Sequence, residues 1–195
     1  IQQGGALADL RTYKKSSDPA IRRACAQAFG ELRSDQARSL LGEMINDADP
    51  RVLAEVVTAL GNYPQIYALG DLQATLKSDD IAVLTNAASA LGERKDRTAI
   101  EPLADVFHRL RSPTDVEPMV EIMKALGKMA SPTDTANAYG VLSPEATATA
   151  VAALTDGLKD TDLNVAQAAA EGLRAIDGKD HSGTAAGTAA PRRAR

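Results

Sequence analysis

One motif recurs five times along this chain and constrains the fold more than any other feature. It is a 13-residue segment that begins with aspartate and, in four of its five copies, ends with glycine. The copies begin at Asp18, Asp49, Asp80, Asp115 and Asp162, at intervals of 31, 31, 35 and 47 residues. Recurrence at such intervals indicates a repeat array, in which each unit buries its apolar face against its neighbours.

Each copy of the motif has the pattern of an amphipathic helix. Apolar side chains stand three, seven, ten and eleven residues after the aspartate, as with Val52, Val56, Ala59 and Leu60 after Asp49. These offsets fall on one face of a helix. The motif therefore predicts a helix that buries one stripe of small and aliphatic side chains.

The ends of the motif match the ends of a helix. Aspartate is a good N-cap, and Pro19 and Pro50 stand where a first helical turn tolerates proline. Glycine near the end provides either a close contact or a left-handed C-terminal residue, so we expect it to help end the helix. These glycines are Gly30, Gly61, Gly92 and Gly127.

Further helices are predicted before and between the copies. Apolar residues stand at helical spacing in five more segments: Leu7 and Leu10; Leu40, Leu41, Met44 and Ile45; Ile66, Leu69, Leu72 and Leu76; Ile100, Leu103, Val106, Phe107 and Leu110; and Val151, Leu154 and Leu158. Aromatic residues are only 3% of the chain, so the core is built from Ala, Leu, Val and Ile. The pattern predicts an all-α chain of about ten helices arranged as hairpins.

The recurring Asp, Val-x-x-x-Ala and Ala-Leu-Gly pattern resembles the second helix of a short HEAT-like repeat, the form also seen in phycobilisome bilin lyases. The segment "AIEPLADVF" resembles the first helix, and the likeness covers about residues 4–177. The resemblance implies a right-handed α-α superhelix, or solenoid, of about five HEAT-like hairpins. The units expected are roughly 1–32, 33–62, 63–95, 96–130 and 143–177.

Two segments fall outside the repeat pattern, and two copies depart from it. Residues 131–142 are predicted to be an inserted loop, and residues 178–195, rich in Gly, Ala, Ser and Thr, a disordered linker or tail. Pro118 interrupts the stripe of the fourth copy. The fifth reads Gly172-Leu-Arg174 in place of Ala-Leu-Gly, as expected of a modified end cap.

No residue constellation for catalysis, cofactor binding or metal binding is found. His108 and His181 have no second histidine or cysteine nearby, so a zinc site of usual composition is not predicted. Cys25, the only cysteine, stands among stripe alanines and is expected to be an inert core residue. No phosphate-binding loop or nucleophile elbow is present.

The charge balance argues against nucleic acid as a partner. The formal net charge is −4, and the tail contributes positive charge through Arg192, Arg193 and Arg195. The body that precedes the tail is therefore the more acidic part, and it would repel phosphate backbones. No apolar run of about 18 residues is present, so no membrane span is predicted. The compartment and the oligomeric state are left open.

A polar row is the candidate partner-binding surface. In HEAT-like arrays the second helices usually line the inner side, and motif positions six, nine and thirteen after the aspartate then form rows. The middle of these rows is a polar, partly acidic strip consisting of Glu55, Thr58, Asn86, Ser89, Glu93 and Glu121. It is interpreted either as a groove for a basic or polar peptide or as an ordinary solvated face.

Three functions follow as expectations. The first is a non-catalytic scaffold for protein–protein contact. The second is an accessory repeat region of a multidomain enzyme, such as bacterial proteins resembling cyclophilin-type prolyl isomerases, with the catalytic domain beyond Arg195. The third is a bilin-lyase-like activity of the repeats themselves, which would require a tetrapyrrole site.

Overall fold

The predicted all-α fold is confirmed. A computed structural model describes residues 3–63, 69–110, 112–132 and 141–184. Within these ranges there are ten α-helices and three short 3-10 turns, and no β-strand. The helices are α1 (Gln3–Tyr13), α2 (Pro19–Leu32), α3 (Asp35–Gly42), α4 (Pro50–Gly61), α5 (Leu69–Thr75), α6 (Ile81–Arg94), α7 (Ile100–Arg109), α8 (Val116–Ala130), α9 (Pro144–Gly157) and α10 (Leu163–Asp177).

The chain forms two compact units, Ile1–Ala87 and Ala88–Arg195. In the first unit α2 packs against α4, and α3 packs against both of these helices. In the second unit α8 packs against α10, while α9 contacts α7, α8 and α10. In both units, therefore, motif helices pack on one another and the intervening helices pack beside them.

Four of the five predicted aspartate caps are confirmed. The carboxylate of Asp18 accepts a hydrogen bond from the backbone of the second helical residue at 2.8 Å, and the carboxylates of Asp49 and Asp162 do the same at 2.9 Å. Asp80 caps α6 by accepting from the backbone N–H of Val83 at 3.1 Å. These side chains satisfy amide groups that the first helical turn leaves without partners.

The prediction at Asp115 is wrong. A 3-10 turn, Pro113–Asp115, precedes α8, and the capping residue of that turn is Ser112. The Asp115 carboxylate accepts from the backbone N–H of Ser112 at 2.7 Å, forming one half of a capping box. Because Pro113 starts the helical path three residues early, the Asp115 side chain is turned back toward Ser112 and does not cap α8.

Two roles were predicted for the motif glycines. At Gly61 the helix does end, since α4 spans Pro50–Gly61, whereas at Gly30 close contact is confirmed and ending the helix is not. Helix α2 continues past Gly30 to Leu32, and its left-handed capping residue is Arg33, with φ of 47°. A Cβ atom added at Gly30 would lie 2.8 Å from the Cβ atom of Ala59 on α4. Glycine is therefore required here because α2 and α4 approach closely.

In the second unit, too, motif glycines lie where two helices approach closely. A Cβ added at Gly92 would lie 2.8 Å from that of Ala125, and one added at Gly127 would lie 2.5 Å from the Cα atom of Gly172. Helices α6 and α8 both run on beyond these glycines, to Arg94 and Ala130. Small residues thus set the distance between neighbouring motif helices.

The predicted stripe is the core of both units. Val52, Val56 and Leu60 are fully buried on α4, and Leu126 is fully buried on α8. Ile21 is the exception among the stripe residues at the third position after the aspartate. It is 41% exposed.

Three predictions fall wholly or partly on residues outside the described ranges. These are Ile66 in the apolar pattern that precedes α6, residues 133–140 of the inserted loop, and residues 185–195 of the tail. In the described ranges no helix is long and apolar enough to cross a bilayer.

Candidate functional site

The six residues of the predicted strip are divided equally between the two compact units. The first unit contains Glu55 and Thr58 on α4 and Asn86 on α6; the second contains Ser89 and Glu93 on α6 and Glu121 on α8. Each group is described on its own.

In the first unit, hydrogen bonds bring Thr58 and Asn86 together. The Thr58 hydroxyl donates to the backbone carbonyl of Ala54 at 3.0 Å. The Asn86 side-chain nitrogen donates to the same carbonyl at 3.3 Å and to the Thr58 oxygen at 3.4 Å. Because a backbone carbonyl can only accept, the Asn86 nitrogen must face it. The Asn86 side-chain oxygen, which accepts no hydrogen bond within the described ranges, remains available to a ligand.

Glu55 lies in the same neighbourhood and forms a long ion pair with Arg23 of α2. The Arg23 Nε atom is 4.0 Å from a Glu55 carboxylate oxygen. The Arg23 side chain is 59% exposed and that of Glu55 is 28% exposed. At this distance and exposure the pair contributes little to stability, so either group can be redirected at low cost.

These residues line a surface groove of about 300 Å³. Pro50, Ala54 and Ala82 supply its apolar part. The polar lining consists of Arg23, Arg51, Glu55, Thr58, Asp80 and Asn86. All three strip residues of the first unit therefore lie in one groove, together with Arg23, Arg51 and Asp80, which the sequence analysis did not select.

Two of the charged side chains in the groove are held at helix starts. Arg51 donates from Nε at 3.1 Å and from a terminal nitrogen at 2.8 Å to the carboxylate of Asp49, which also caps α4. This guanidinium is the main reason that the pKa of Asp49 falls to about 2. Asp80 is engaged with the backbone of Val83 at the start of α6.

In the second unit the glutamates of the strip are paired with lysines. Glu121 accepts from the ammonium group of Lys124 at 2.7 Å on the same helix. Glu93 accepts from the ammonium group of Lys128 on the neighbouring helix α8. The sequence analysis did not predict this pairing, which largely neutralises the acidic character expected for this part of the strip.

The repeat pattern in the sequence has a direct counterpart among known proteins. A family model for HEAT repeats matches residues 7–67 and 40–117, which together span more than half of the chain. The chain belongs to the HEAT repeat family. No curated protein sequence matches it.

Solved structures support the same assignment. An engineered protein, 25% identical to this HEAT-repeat chain, aligns with a TM-score of 0.59 over 88% of this chain and 79% of its own. A computationally designed armadillo repeat protein for modular peptide recognition, 18% identical, aligns with a TM-score of 0.62 over 89% and 83%. These likenesses establish the helical-repeat fold.

The second unit has a larger cavity, of about 480 Å³, which the sequence analysis did not predict. It lies along α10, where Leu163 is 70% exposed and Gln167 donates to Glu171 at 3.1 Å. Asp180 and Ser182 supply lining from the segment after α10. The one sequence signal was Arg174, which occupies the position of the motif glycine and lines this cavity.

The reactive side chains of this HEAT chain have ordinary surroundings. Cys25 is 2% exposed, and burial raises the pKa of its thiol, which confirms its predicted core position. His108 is exposed on α7, with a ring nitrogen 4.0 Å from Asp156. In the described ranges, no three residues of His, Cys, Asp or Glu are grouped so that they could hold a metal ion.

Proposed function

We propose that this HEAT-repeat chain is a non-catalytic scaffold that binds an extended polar peptide segment of a partner protein in the groove of the first unit. The observation that carries the proposal is the fixed amide of Asn86. Its nitrogen donates to the Ala54 carbonyl and the Thr58 oxygen, which leaves its oxygen as an acceptor for a ligand in the groove that Arg23 and Glu55 also line.

The groove chemistry suits a peptide backbone. An extended peptide presents N–H groups that need acceptors, and the Asn86 oxygen is an acceptor whose side-chain amide is already held through its nitrogen. A volume of about 300 Å³ holds a few residues of such a chain. The designed armadillo repeat protein of similar fold is described as made for modular peptide recognition, which supports the same use here.

The charge of the chain supports a protein partner over nucleic acid. Its net charge is −4, so long-range electrostatics disfavours a phosphate backbone. In the second unit, Ser89, Glu93 and Glu121 remain proposed contacts. Their two glutamates would have to exchange lysine partners for groups of the bound protein.

The proposal is tested by selecting eight-residue peptides from a random phage-displayed library on the immobilised chain. The affinity of the selected peptides is then measured by isothermal titration calorimetry. We expect Asn86→Ala and Glu55→Lys to weaken binding at least fivefold. The matched control is Asp105→Lys, which changes an exposed carboxylate on α7 of the other unit. A failure to enrich any peptide, or affinities that Asn86→Ala and Glu55→Lys leave unchanged, would refute the proposed function.

A further inference from the structure

The charged groups of the first-unit groove differ in how firmly they are held. Asp49 and Asp80 accept from backbone amides at the starts of α4 and α6, and Arg51 is bound to Asp49 through two nitrogens. A ligand that recruited any of these would break a helix cap or a short, two-point ion pair. Their charges are therefore poorly suited to reading a partner.

Arg23 and Glu55 are held less firmly. The 4.0 Å contact between them is the only charged contact that either makes among the described residues. More than half of the Arg23 side chain is exposed, and Glu55 stands beside the Asn86 and Thr58 network in the same groove. A ligand can replace this weak contact with two shorter ones and leave no charge without a partner.

We propose that the Arg23–Glu55 pair selects an extended peptide carrying one acidic and one basic side chain on the same side of the strand. This inference rests on the proposed function and specifies its ligand. Arg23 binds the acidic side chain and Glu55 the basic one. Same-side residues of a strand stand two apart, at about 7 Å. The charged groups of Arg23 and Glu55, now 4.0 Å apart, can reach two such residues when they separate.

The Arg23–Glu55 pair also disfavours a wholly basic peptide. A second lysine in place of the acidic residue would face the guanidinium of Arg23, and a second glutamate in place of the basic one would face Glu55. Like charges at such distances repel. The groove therefore favours a peptide with opposite charges in one particular order, whereas a uniformly acidic strip would favour a peptide of net positive charge.

The test uses five labelled nine-residue peptides in a Ser/Thr/Gly host, with fluorescence anisotropy as the measure of Kd. The two central positions, two residues apart, carry Lys and Glu, Glu and Lys, Lys and Lys, Glu and Glu, or Gln and Gln. We expect one of the two mixed orders to bind up to about fivefold more tightly than the other and than the neutral peptide.

The decisive variant exchanges the pair, Arg23→Glu with Glu55→Arg. It keeps the net charge and the ion pair but reverses their direction, so the preferred order of the peptide should reverse. The matched control exchanges an exposed ion pair of the second unit that lies outside the strip, Asp156→Lys with Lys159→Asp, and should leave the preference unchanged.

The outcomes separate this inference from the function on which it rests. If the five peptides bind equally, or the Lys-Lys peptide binds best to both proteins, the groove does not read charge order and the inference fails alone. An order preference that survives the exchange would also overturn it. If none of the five binds while peptides selected from the random library do, the inference again fails alone; if no library peptide binds either, the proposed peptide groove fails as well.

Discussion

Replacing Gly127 by alanine tests the close helix contact on which the fold of the second unit depends. The added Cβ would lie 2.5 Å from the Cα atom of Gly172 and 3.3 Å from its carbonyl carbon and oxygen. Carbon atoms prefer separations of about 3.5–4.0 Å, so α8 and α10 would have to move apart by about 1 Å. The obstructing atoms belong to the backbone of a glycine, and no side-chain rotation can relieve the contact.

The expected magnitude is a balance of two effects. Alanine favours a helix over glycine by about 1 kcal/mol, which would stabilise the variant if the position were open. Overpacking in a close contact costs about 1–3 kcal/mol, and here it acts along the α8–α10 contact. We therefore expect Gly127→Ala to lower the free energy of unfolding by about 1 kcal/mol, with a limit near 2 kcal/mol.

Urea unfolding followed by circular dichroism at the helical minimum measures this change. A loss of about 1 kcal/mol corresponds to a decrease of about 0.5 M in the midpoint. Gly70→Ala on α5 is the matched control, since an added Cβ there meets nothing within 4 Å. That variant should gain a few tenths of a kcal/mol, about 0.5. If Gly127→Ala is as stable as the parent, or is stabilised as the control is, the close approach is refuted.

Three further changes test other parts of the structure. Tyr63→Phe removes a buried hydroxyl that donates to the carbonyl of Phe29 at 2.5 Å, and should cost about 1 kcal/mol in the same urea assay; no loss would contradict the bond. Asp49 has a native pKa of about 2, below its ordinary 3.8, so its contribution is present above pH 4 and is lost as pH falls toward 2. Asp49→Asn keeps a capping side chain and should flatten that part of a stability–pH profile, whereas an unchanged profile would exclude Asp49 as a source. The Cys25 thiol should resist a disulfide reagent at pH 8 until the chain unfolds, and rapid reaction of the native protein would contradict its burial.

The sequence predicted the helices and the core well because both follow from local periodicity. The positions of Val52, Val56 and Leu60 could be read from helical spacing alone, and all three are buried. The cap at Asp49 was likewise a local pattern. The prediction that Asp115 caps α8 was wrong because Ser112 and Pro113 start the helical turn earlier. The motif began at the aspartate and did not include these two residues.

Only some of the residues that line the groove could be predicted from the sequence. Glu55, Thr58 and Asn86 were selected because they occupy exposed motif positions, and they do line one groove. Arg23 was not selected because it lies on α2, a different helix from Glu55 and Thr58. Which side chains meet across helices depends on how closely the backbones approach. The pairing of Glu93 with Lys128 was missed for the same reason, since it joins side chains 35 residues apart.

The most direct test of the central claim is a titration of the isotopically labelled chain with the tighter mixed-charge peptide, followed by amide NMR. The account predicts that the backbone signals of Ala54 and Thr58, and the side-chain amide of Asn86, move together and saturate at one equivalent. Shifts confined to Gln167 and Glu171 beside the α10 cavity, with the Asn86 side-chain signal unmoved, would contradict it.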